Sequence, residues 1–273
     1  MTEISKNRKA KSELAATKPA SELKVQRIGL VARDYNHLYP NGYKDFSHAL
    51  KPTLEYLDKA HCDTVLFSLF SIIPRRGFNL FANLRLSHVK AIFFEKFTST
   101  ADGSRLAGDY VVALNTRSGW HQHVLRQAFG SLSKKSAADI HHFVQNEFSS
   151  RRIFGNCCLV ICGESNAVKY VPAFKSVADT FGLRQAVPNG VSILLNPVHD
   201  RMTRFEMMKK RQFLSQSNRW VISVWNKGKI NRLGQTRDGK SPPWTVFHDE
   251  KLVAVSAIPN YWNVEIGILD VGM

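Results

Sequence analysis

A cysteine at the end of a short apolar run is the residue best suited to do chemistry in this sequence. Residues 159–161 are Leu-Val-Ile, and Cys162, Gly163 and Glu164 follow directly. The run is typical of a strand covered on both faces, and glycine permits a sharp turn at its end. Because a thiolate is a strong nucleophile, we predict a nucleophile at a strand-to-turn corner. The alternative interpretation is a buried structural cysteine, which is a common place for this residue.

The other cysteines give no sign of a disulfide framework or a metal site. Three of the four cysteines, Cys157, Cys158 and Cys162, lie within six residues on one predicted strand. Cysteines so placed cannot build a disulfide framework, so we expect a reducing, cytoplasmic setting. Their spacing also differs from the paired C-x-x-C pattern of zinc sites. We therefore predict neither a metal nor a cofactor.

Histidines occur in adjacent or alternate positions at His121, His123, His141 and His142. Side chains share a helical face when they are three or four residues apart, which these are not within either group. We interpret them as loop or surface residues and not as metal ligands.

The chain is strongly basic, with 38 Lys and Arg against 22 Asp and Glu and a formal net charge of +16. Such a charge attracts polyanions but says nothing about fold. The basic residues are spread along the chain, and no RNA-recognition signature, zinc finger or helix-turn-helix accompanies them. Nucleic-acid binding therefore stays an alternative that the sequence does not favour.

The N-terminal residues 1–24 are rich in Lys, Ser, Ala and Glu and contain little to bury, so we predict a disordered basic tail. They have no apolar core of a secretory signal. No apolar run is long enough to cross a membrane, and no membrane partner is expected. The remaining residues, 25–273, are enough for one α/β domain.

Strands and helices alternate in the first half of this domain. Phe46, Leu50, Leu54 and Leu57 recur at three- and four-residue steps, which predicts an amphipathic helix between two apolar strands. The predicted helices are 43–60, 167–181 and 200–219; the predicted strands are 27–32, 63–70, 89–94, 110–114, 157–161, 191–195, 219–225, 245–247, 252–255 and 264–271. Residues 120–145 are interpreted as loop with a short helix. The pattern predicts two mixed sheets packed together with helices outside.

Several segments, in this order, resemble the nitrilase superfamily of carbon–nitrogen hydrolases. Residues 108–119 are similar to a family strand with its glycine turn, and 159–164 to the family's nucleophile strand. Residues 193–197, ending in Asn-Pro, and 211–226 are similar to the segments that follow. The resemblance covers about 25–271. It implies an α-β-β-α sandwich, a homo-oligomer that is usually a homodimer, and a small amide-like substrate.

The resemblance also implies roles for individual residues. Cys162 matches the nucleophile, and Glu164 matches the acidic residue beside it. Lys134 is the best match for the lysine that steadies the oxyanion, with Lys135 nearly as good. Glu147 lies between that lysine and the cysteine, where the family often has a second glutamate. A cation aimed at the oxyanion is worth about 3–4 kcal/mol of barrier.

One position departs from the family pattern. The family's general base closes the second strand, where this sequence has Leu69 after Ser68. Leucine cannot accept a proton, and loss of a general base typically costs ~10²–10⁴ in rate. Asp63, His61 and Glu164 are conceivable substitutes, and Glu95 belongs to the next strand.

Three hypotheses follow. The first is a cysteine-dependent amidase acting on small amides or related C–N bonds, with Cys162 as nucleophile. The second is a nitrilase-like protein that has lost catalysis and serves in binding or assembly. The third is a polyanion-binding protein that uses the +16 charge.

Overall fold

The computed structural model describes residues 22–34, 47–69, 71, 81, 84–99, 106–130, 135–199, 201–228, 233, 235, 241–259 and 264–272. For residues 47, 48, 97–99 and 106–108 it describes the backbone only. Most of the predicted tail, residues 1–21, lies outside the described residues. None of the helices in the described part of the chain is long and apolar enough to cross a membrane.

The first sheet has six strands, which are β1 (Arg27–Arg33), β2 (Thr64–Phe67), β3 (Ala91–Ser99), β4 (Leu106–Thr116), β5 (Gly119–Leu125) and β14 (Val264–Asp270). Their order in the sheet is β14-β1-β2-β3-β4-β5. Strands β1, β2 and β3 run parallel, and β14, β4 and β5 are added antiparallel at the two sides.

Helix α1 (Ser47–Lys59) covers the outer face of this sheet between β1 and β2. Leu50, Leu54 and Leu57 are fully buried, in the same cluster as Val65 of β2 and Ile92 of β3. Their three- and four-residue spacing places them on one helix face, so the predicted helix forms by burying that face on the sheet.

The second sheet also has six strands, which are β6 (Ile153–Phe154), β7 (Cys157–Leu159), β10 (Ile193–Pro197), β11 (Trp220–Val224), β12 (Trp244–His248) and β13 (Lys251–Val253). Their order in the sheet is β13-β12-β11-β10-β7-β6. Strands β7, β10 and β11 run parallel, and the others are antiparallel to their neighbours.

Helical segments cover the outer face of the second sheet. The segment α2 begins at Ala137–His142, continues as a π-helical turn at Phe143–Phe148 and ends at Ser149–Arg151. Helix α3 spans Phe205–Leu214. Buried side chains from both helices, such as those of Val144 and Leu214, pack in one cluster with the outward-facing residues of β7, β10 and β11.

The inner faces of the two sheets pack on each other. Leu30, Leu66 and Phe93 of the first sheet share one buried cluster with Leu159 and Leu195 of the second. The order of layers is therefore helix, sheet, sheet, helix. The predicted fold class, an α/β fold with an α-β-β-α sandwich of two mixed sheets, is confirmed.

The predicted helix at 167–181 is wrong. This segment forms a hairpin of β8 (Lys169–Val171) and β9 (Ser176–Ala178) around a 3₁₀ turn at Pro172–Phe174. Proline lacks an amide N–H and breaks a helix interior, and Lys175 closes the turn with a φ of 49°. Of the apolar residues whose spacing predicted a helix, Val171 lies on β8, Phe174 lies in the turn and Val177 lies on β9.

Two other segments differ from their predicted form. The basic helix predicted at 200–219 is limited to Phe205–Leu214, and Ser217 and Asn218 adopt left-handed backbone conformations after it. Residues 120–125, part of the segment 120–145 interpreted as loop with a short helix, belong to β5 (Gly119–Leu125) at the side of the first sheet, with His121 exposed and His123 half-buried. An edge strand needs only one buried face, so its sequence can be mostly polar.

Candidate active site

The nucleophile candidate and a histidine follow neighbouring parallel strands. Cys162 comes after β7 and His199 after β10, and the two strands pair with Leu159 opposite Leu195. The carboxyl ends of parallel neighbours meet at one edge of a sheet, where α/β folds commonly bind their ligands. The Sγ atom of Cys162 lies 3.5 Å from Nδ1 of His199.

A carboxylate from the first sheet completes this group. Glu95 lies on β3 two residues beyond Phe93, which pairs with Leu66 of β2. Its Oε2 atom is 3.7 Å from Nε2 of His199. The imidazole therefore lies between a thiol and a carboxylate, which is the order of groups in enzymes that activate a cysteine through a histidine held by an acid.

The electrostatics of His199 follow from these neighbours. Burial lowers its pKa, but the Cys162 thiol and the Glu95 carboxylate outweigh burial and raise the pKa to about 9. His199 is thus an imidazolium at neutral pH. A cation in contact with the sulfur favours the thiolate, which is the reactive form.

The backbone at Cys162 is a tight corner. Cys162 has a φ of 42°, in the left-handed region that non-glycine residues rarely adopt, and strain of this kind is concentrated at functional sites. It opens the 3₁₀ turn Cys162–Ala167, in which Ser165 Oγ donates to the Cys162 carbonyl at 2.9 Å. A Cβ at Gly163 would lie 2.2 Å from the carbonyl oxygen of Gly130, so only glycine fits there.

Apolar side chains form one wall around the thiol. Cys162 packs against a small cluster of Val198, Met202 and Trp225, which Met207 also contacts. Such a wall limits water around the sulfur and favours an apolar part of a ligand.

Glu164 lies in a different environment from that of the thiol. It is 0% exposed, and its Oε1 accepts from Arg152 Nη2 at 2.7 Å and from the Ala128 amide at 2.8 Å. Its Oε2 accepts from the Ile161 amide at 2.8 Å. Burial raises its pKa to about 7, although Arg152 and the two amides oppose this shift. The carboxylate fastens the backbone that precedes the nucleophile, whereas the thiol itself contacts His199.

The remaining sequence-predicted site residues are not brought to the thiol by any contact of the described residues. Glu147 is half-buried in the π-helical turn of α2, and its charge raises the pKa of Glu164 slightly. Lys135 is exposed. Lys134 lies outside the described residues.

The corner at Leu69 is closed by polar contacts. Leu69 is buried in the cluster between the sheets. Its carbonyl accepts from Asn226 Nδ2 at 2.6 Å, and Asn226 Oδ1 accepts from the Arg33 amide at 2.9 Å and from the Ser68 hydroxyl. Asn226 therefore ties the ends of β1, β2 and β11 together. This corner positions backbone and supplies no carboxylate.

Two of the three substitutes for the missing base that the sequence suggested, Asp63 and His61, lie elsewhere; the third, Glu164, is held by Arg152. Asp63 precedes β2, and its Oδ2 accepts from the amides of Gln26 and Arg27 at the start of β1, at the opposite end of the parallel strands from Cys162. His61 is exposed and packs on His88.

A second cation lies near the thiol. Arg211 of α3 is buried and donates to Ser223 Oγ and Asn196 Oδ1 at 2.6 Å and to the Met207 carbonyl at 3.0 Å. Burial lowers its pKa to about 10, and the Cys162 thiol partly offsets this. Arg211 remains charged at neutral pH and adds to the positive potential around the sulfur.

Sequence reasoning missed His199 and gave Glu95 no role. A signal was present for both, since His199 follows the apolar strand that ends in Asn196-Pro197, and Glu95 ends the apolar part of β3. No group of three His, Cys, Asp or Glu in the described part of the chain is arranged to hold a metal ion.

Comparisons with known proteins find likeness in structure only. No family model matches the sequence, and no curated protein matches it. A glutamine-dependent NAD(+) synthetase from Cytophaga hutchinsonii is 11% identical with a TM-score of 0.47; the match covers 90% of this chain and 43% of the synthetase, so this chain spans less than half of that protein.

Two further structures match over most of both chains. A carbon-nitrogen hydrolase from Helicobacter pylori G27 is 10% identical, with a TM-score of 0.47 and coverage of 90% of this chain and 89% of that one. A double mutant of the amidase from Nesterenkonia sp. AN1 in complex with acrylamide is 8% identical, with a TM-score of 0.42 and coverage of 91% and 92%. At these values the likenesses assign neither a family nor an activity to this chain.

Proposed function

We propose that the protein is a cysteine-dependent hydrolase of small amides or related C–N bonds, with Cys162 as nucleophile. The observation that carries the proposal is the chain of contacts from Cys162 Sγ to His199, at 3.5 Å, and from His199 to Glu95, at 3.7 Å. The choice of C–N bonds rests on the sequence resemblance, which is an analogy at the level of the family.

The first half-reaction forms an acyl-enzyme. The Cys162 thiolate attacks the carbonyl carbon, and the C=O π electrons move onto oxygen. When the tetrahedral intermediate collapses, the C–N bond breaks and the His199 imidazolium gives its proton to the departing amine. The products are the free amine and a thioester on Cys162. Glu95 holds the ring in orientation and stabilises its charge.

The second half-reaction restores the enzyme. Neutral His199 takes a proton from water, the hydroxide attacks the thioester carbon, and the C–S bond breaks to release the acid. The thiolate and the imidazolium are then both regenerated. Lys134 remains our proposed oxyanion stabiliser, and Glu164 acts as a positioning residue through its bonds to the Ile161 and Ala128 amides.

Iodoacetamide labelling tests the nucleophile. Cys157 and Cys158 are fully buried, and burial raises the pKa of each thiol well above its ordinary value. Cys162 is half-buried and contacts an imidazolium. We expect Cys162 to be alkylated first by a wide margin, and Cys162→Ala to abolish hydrolysis across a panel of small amides. Equal and slow alkylation of all three cysteines would exclude the proposal.

A protein that binds amide-like ligands without turnover is the second candidate. It is favoured by Leu69, which supplies no carboxylate at the corner where the family has its base. In that case rapid alkylation of Cys162 would be seen without hydrolysis of any amide, and Cys162→Ala would leave ligand binding intact.

The quaternary state belongs to the same proposal. We propose a homodimer, as the sequence resemblance implies, and light scattering of the purified full-length chain tests it. A monomer at micromolar concentration would remove this part of the proposal without affecting the site.

A further inference from the structure

Helix α3 carries two consecutive buried cations whose partners are neutral. Lys210 is 7% exposed, and its Nζ donates to Asn166 Oδ1 at 3.0 Å. Arg211 is 1% exposed and donates to a hydroxyl, an amide oxygen and a backbone carbonyl. Among the described residues, neither side chain has a carboxylate within ion-pair distance. Buried charges are ordinarily paired, because an unpaired one loses its hydration without compensation.

The partner of Lys210 lies on the turn that carries the nucleophile. Asn166 belongs to the 3₁₀ turn that opens at Cys162, and its Nδ2 donates to the Gly130 carbonyl at 3.3 Å. Because Gly130 also packs against Gly163, Lys210 is attached to the same rigid corner as the thiol. The ammonium of Lys210 is thus fixed beside the candidate active site.

More positive charge surrounds Lys210 on the exposed side. The pKa of Lys210 is lowered to about 8, mainly by burial and also by the charges of Arg211, Arg204 and Lys169, while Glu206 opposes this shift. Arg204 precedes α3 and pairs with Glu206 at 3.7 Å, with both side chains largely exposed. Glu206 is the one carboxylate among these groups, against the four cations Lys210, Arg211, Arg204 and Lys169, so the electrostatic potential around Lys210 is strongly positive.

The hairpin that carries Lys169 is held against α3. The ring of Tyr170 packs edge-on against Phe205, with centroids 5.4 Å apart. Lys169, which precedes Tyr170 on β8, is exposed, as is Arg204, which precedes Phe205. The charges of both exposed cations act on Lys210, and they come from two elements that touch each other.

We propose that Lys210, Arg204 and Lys169 form an anion-binding subsite for a carboxylate or phosphate group. Such an anion would be the counter-charge that the buried ammonium lacks, and charge-assisted hydrogen bonds to it are the strong kind. The binding of an anion does not depend on the proposed function. Only the further statement depends on it, that the anion is part of a substrate whose carbonyl carbon Cys162 attacks. The substrate class is then an anionic amide.

Fluorinated probes test the subsite directly. Binding is followed by ¹⁹F NMR at constant ionic strength with trifluoroacetate for a carboxylate, monofluorophosphate for a phosphate, and trifluoroacetamide as a neutral control. We expect the native protein to bind at least one anion and Lys210→Met to bind it about tenfold more weakly, as for loss of a charged hydrogen bond. The anion that binds more tightly shows whether the subsite prefers a carboxylate or a phosphate group. No binding of either anion by the native protein, or equal binding by Lys210→Met, overturns the proposal.

Matched variants separate the subsite from general charge and folding effects. Lys209→Met removes the same charge from the same helix, but Lys209 Nζ donates to Gln212 at 3.0 Å and lies 5.6 Å from the Phe205 ring, so anion binding should be unchanged. Lys210→Arg keeps the charge and should retain most of the affinity. If Lys210→Met does not fold, the exposed variants Arg204→Gln and Lys169→Gln decide the question, with losses of about two- to threefold expected for each.

Alkylation of Cys162 shows whether the subsite adjoins the nucleophile. Iodoacetate and iodoacetamide react at the same sulfur, with displacement of iodide, and differ in charge. Lys210→Met should lower the ratio of their rates several-fold, and an unchanged ratio would contradict the placement. Failure of iodoacetamide to react at Cys162 would instead defeat the proposed function, whereas the ¹⁹F measurement of the anion site would still stand.

Discussion

The Nε2 atom of His199 lies 3.7 Å from Oε2 of Glu95, and this contact joins the two sheets at the candidate active site. His199 follows β10 of the second sheet, and Glu95 lies on β3 of the first. Strand β2 of the first sheet is followed by Leu69, where no acid is present. The carboxylate that contacts the imidazole comes instead from Glu95 on β3, the strand that pairs with β2.

The pH dependence of stability should reveal the ionised state of His199. Its pKa is about 9 in the fold, against 6.5 for an ordinary histidine. The stabilisation is therefore fully present below pH 6.5 and is lost as pH rises through about 9. We expect the free energy of unfolding of the native protein, relative to His199→Gln, to fall by about 2–3 kcal/mol over this range.

Urea denaturation of both proteins between pH 6 and 10 measures this difference. The comparison cancels lysines and tyrosines that titrate in both proteins. A difference that stays constant from pH 6.5 to 9 would show that His199 carries no extra proton in the fold.

Substitution of Glu95 by glutamine should weaken catalysis without unfolding the protein. The amide keeps the shape of the side chain but removes the charge that helps to raise the pKa of His199. We expect the pKa of His199 to fall and the rates of amide hydrolysis and of Cys162 alkylation to fall by about 10–100-fold, as for loss of part of an acid–base pair. The pH–rate profile and the histidine ring signals in NMR measure the two effects.

Asp109→Asn is the control for this substitution. Asp109 pairs with Arg126 at 3.3 Å on the surface, where ion pairs contribute little. It should leave both the rate and the pKa of His199 unchanged. A Glu95→Gln variant that behaves like this control would remove Glu95 from the mechanism.

The turn at Gly163 should tolerate no side chain. A Cβ there would approach the Gly130 carbonyl oxygen to 2.2 Å and two further Gly130 backbone atoms to 2.6 Å, so backbone has to move. Gly163→Ala should cost about 2–4 kcal/mol of stability, in the range of strong steric substitutions, and slow the alkylation of Cys162.

Gly130→Ala supplies a matched control on the other side of the same contact. Its Cβ would meet only the Gln127 side chain, at 3.5 Å, which is ordinary contact. Thermal unfolding and iodoacetamide labelling of the two variants measure the effects. Equal behaviour would show that the close packing of the corner does not matter for the thiol.

The layers of the fold could be predicted from the sequence because buried parallel strands are continuous apolar runs. Strands β1, β2, β7, β10 and β11 all follow from such runs. The hairpin at 169–178 could not, since Val171, Phe174 and Val177 also fit a helical period. Only Pro172, which disrupts a helix interior, favours the hairpin over a helix, and a prediction from apolar spacing alone does not take proline into account.

Of the three residues that form the candidate site, only Cys162 could be predicted from the sequence. Cys162 follows from local pattern, because the apolar run, the thiol and Gly163 are consecutive. His199 and Glu95 lie 37 and 67 residues from Cys162 along the chain, as their numbers show, and their approach depends on how the two sheets pack. Glu164, by contrast, is close to Cys162 in sequence and is therefore predicted to take part in the chemistry. In the structure it forms a buried ion pair with Arg152.

That ion pair supports the last prediction. Arg152 is 2% exposed and Glu164 is 0% exposed, and Nη2 of the arginine lies 2.7 Å from Oε1 of the glutamate. Removing one partner leaves the other charge buried, so Glu164→Gln and Arg152→Met should each cost about 3–5 kcal/mol. The double variant should cost less than the sum of the two, because no buried charge then remains unpaired.

Urea denaturation of the four proteins in the cycle measures this coupling, and alkylation shows its effect on the site. Glu164 also accepts from the Ile161 amide directly before the nucleophile, so Glu164→Gln should slow iodoacetamide labelling of Cys162 by loosening that backbone. A single substitution that costs less than about 1 kcal/mol would mean that water reaches the pair, since exposed pairs contribute in that range. A normal labelling rate in a destabilised Glu164→Gln variant would separate the stability of this corner from the position of the thiol.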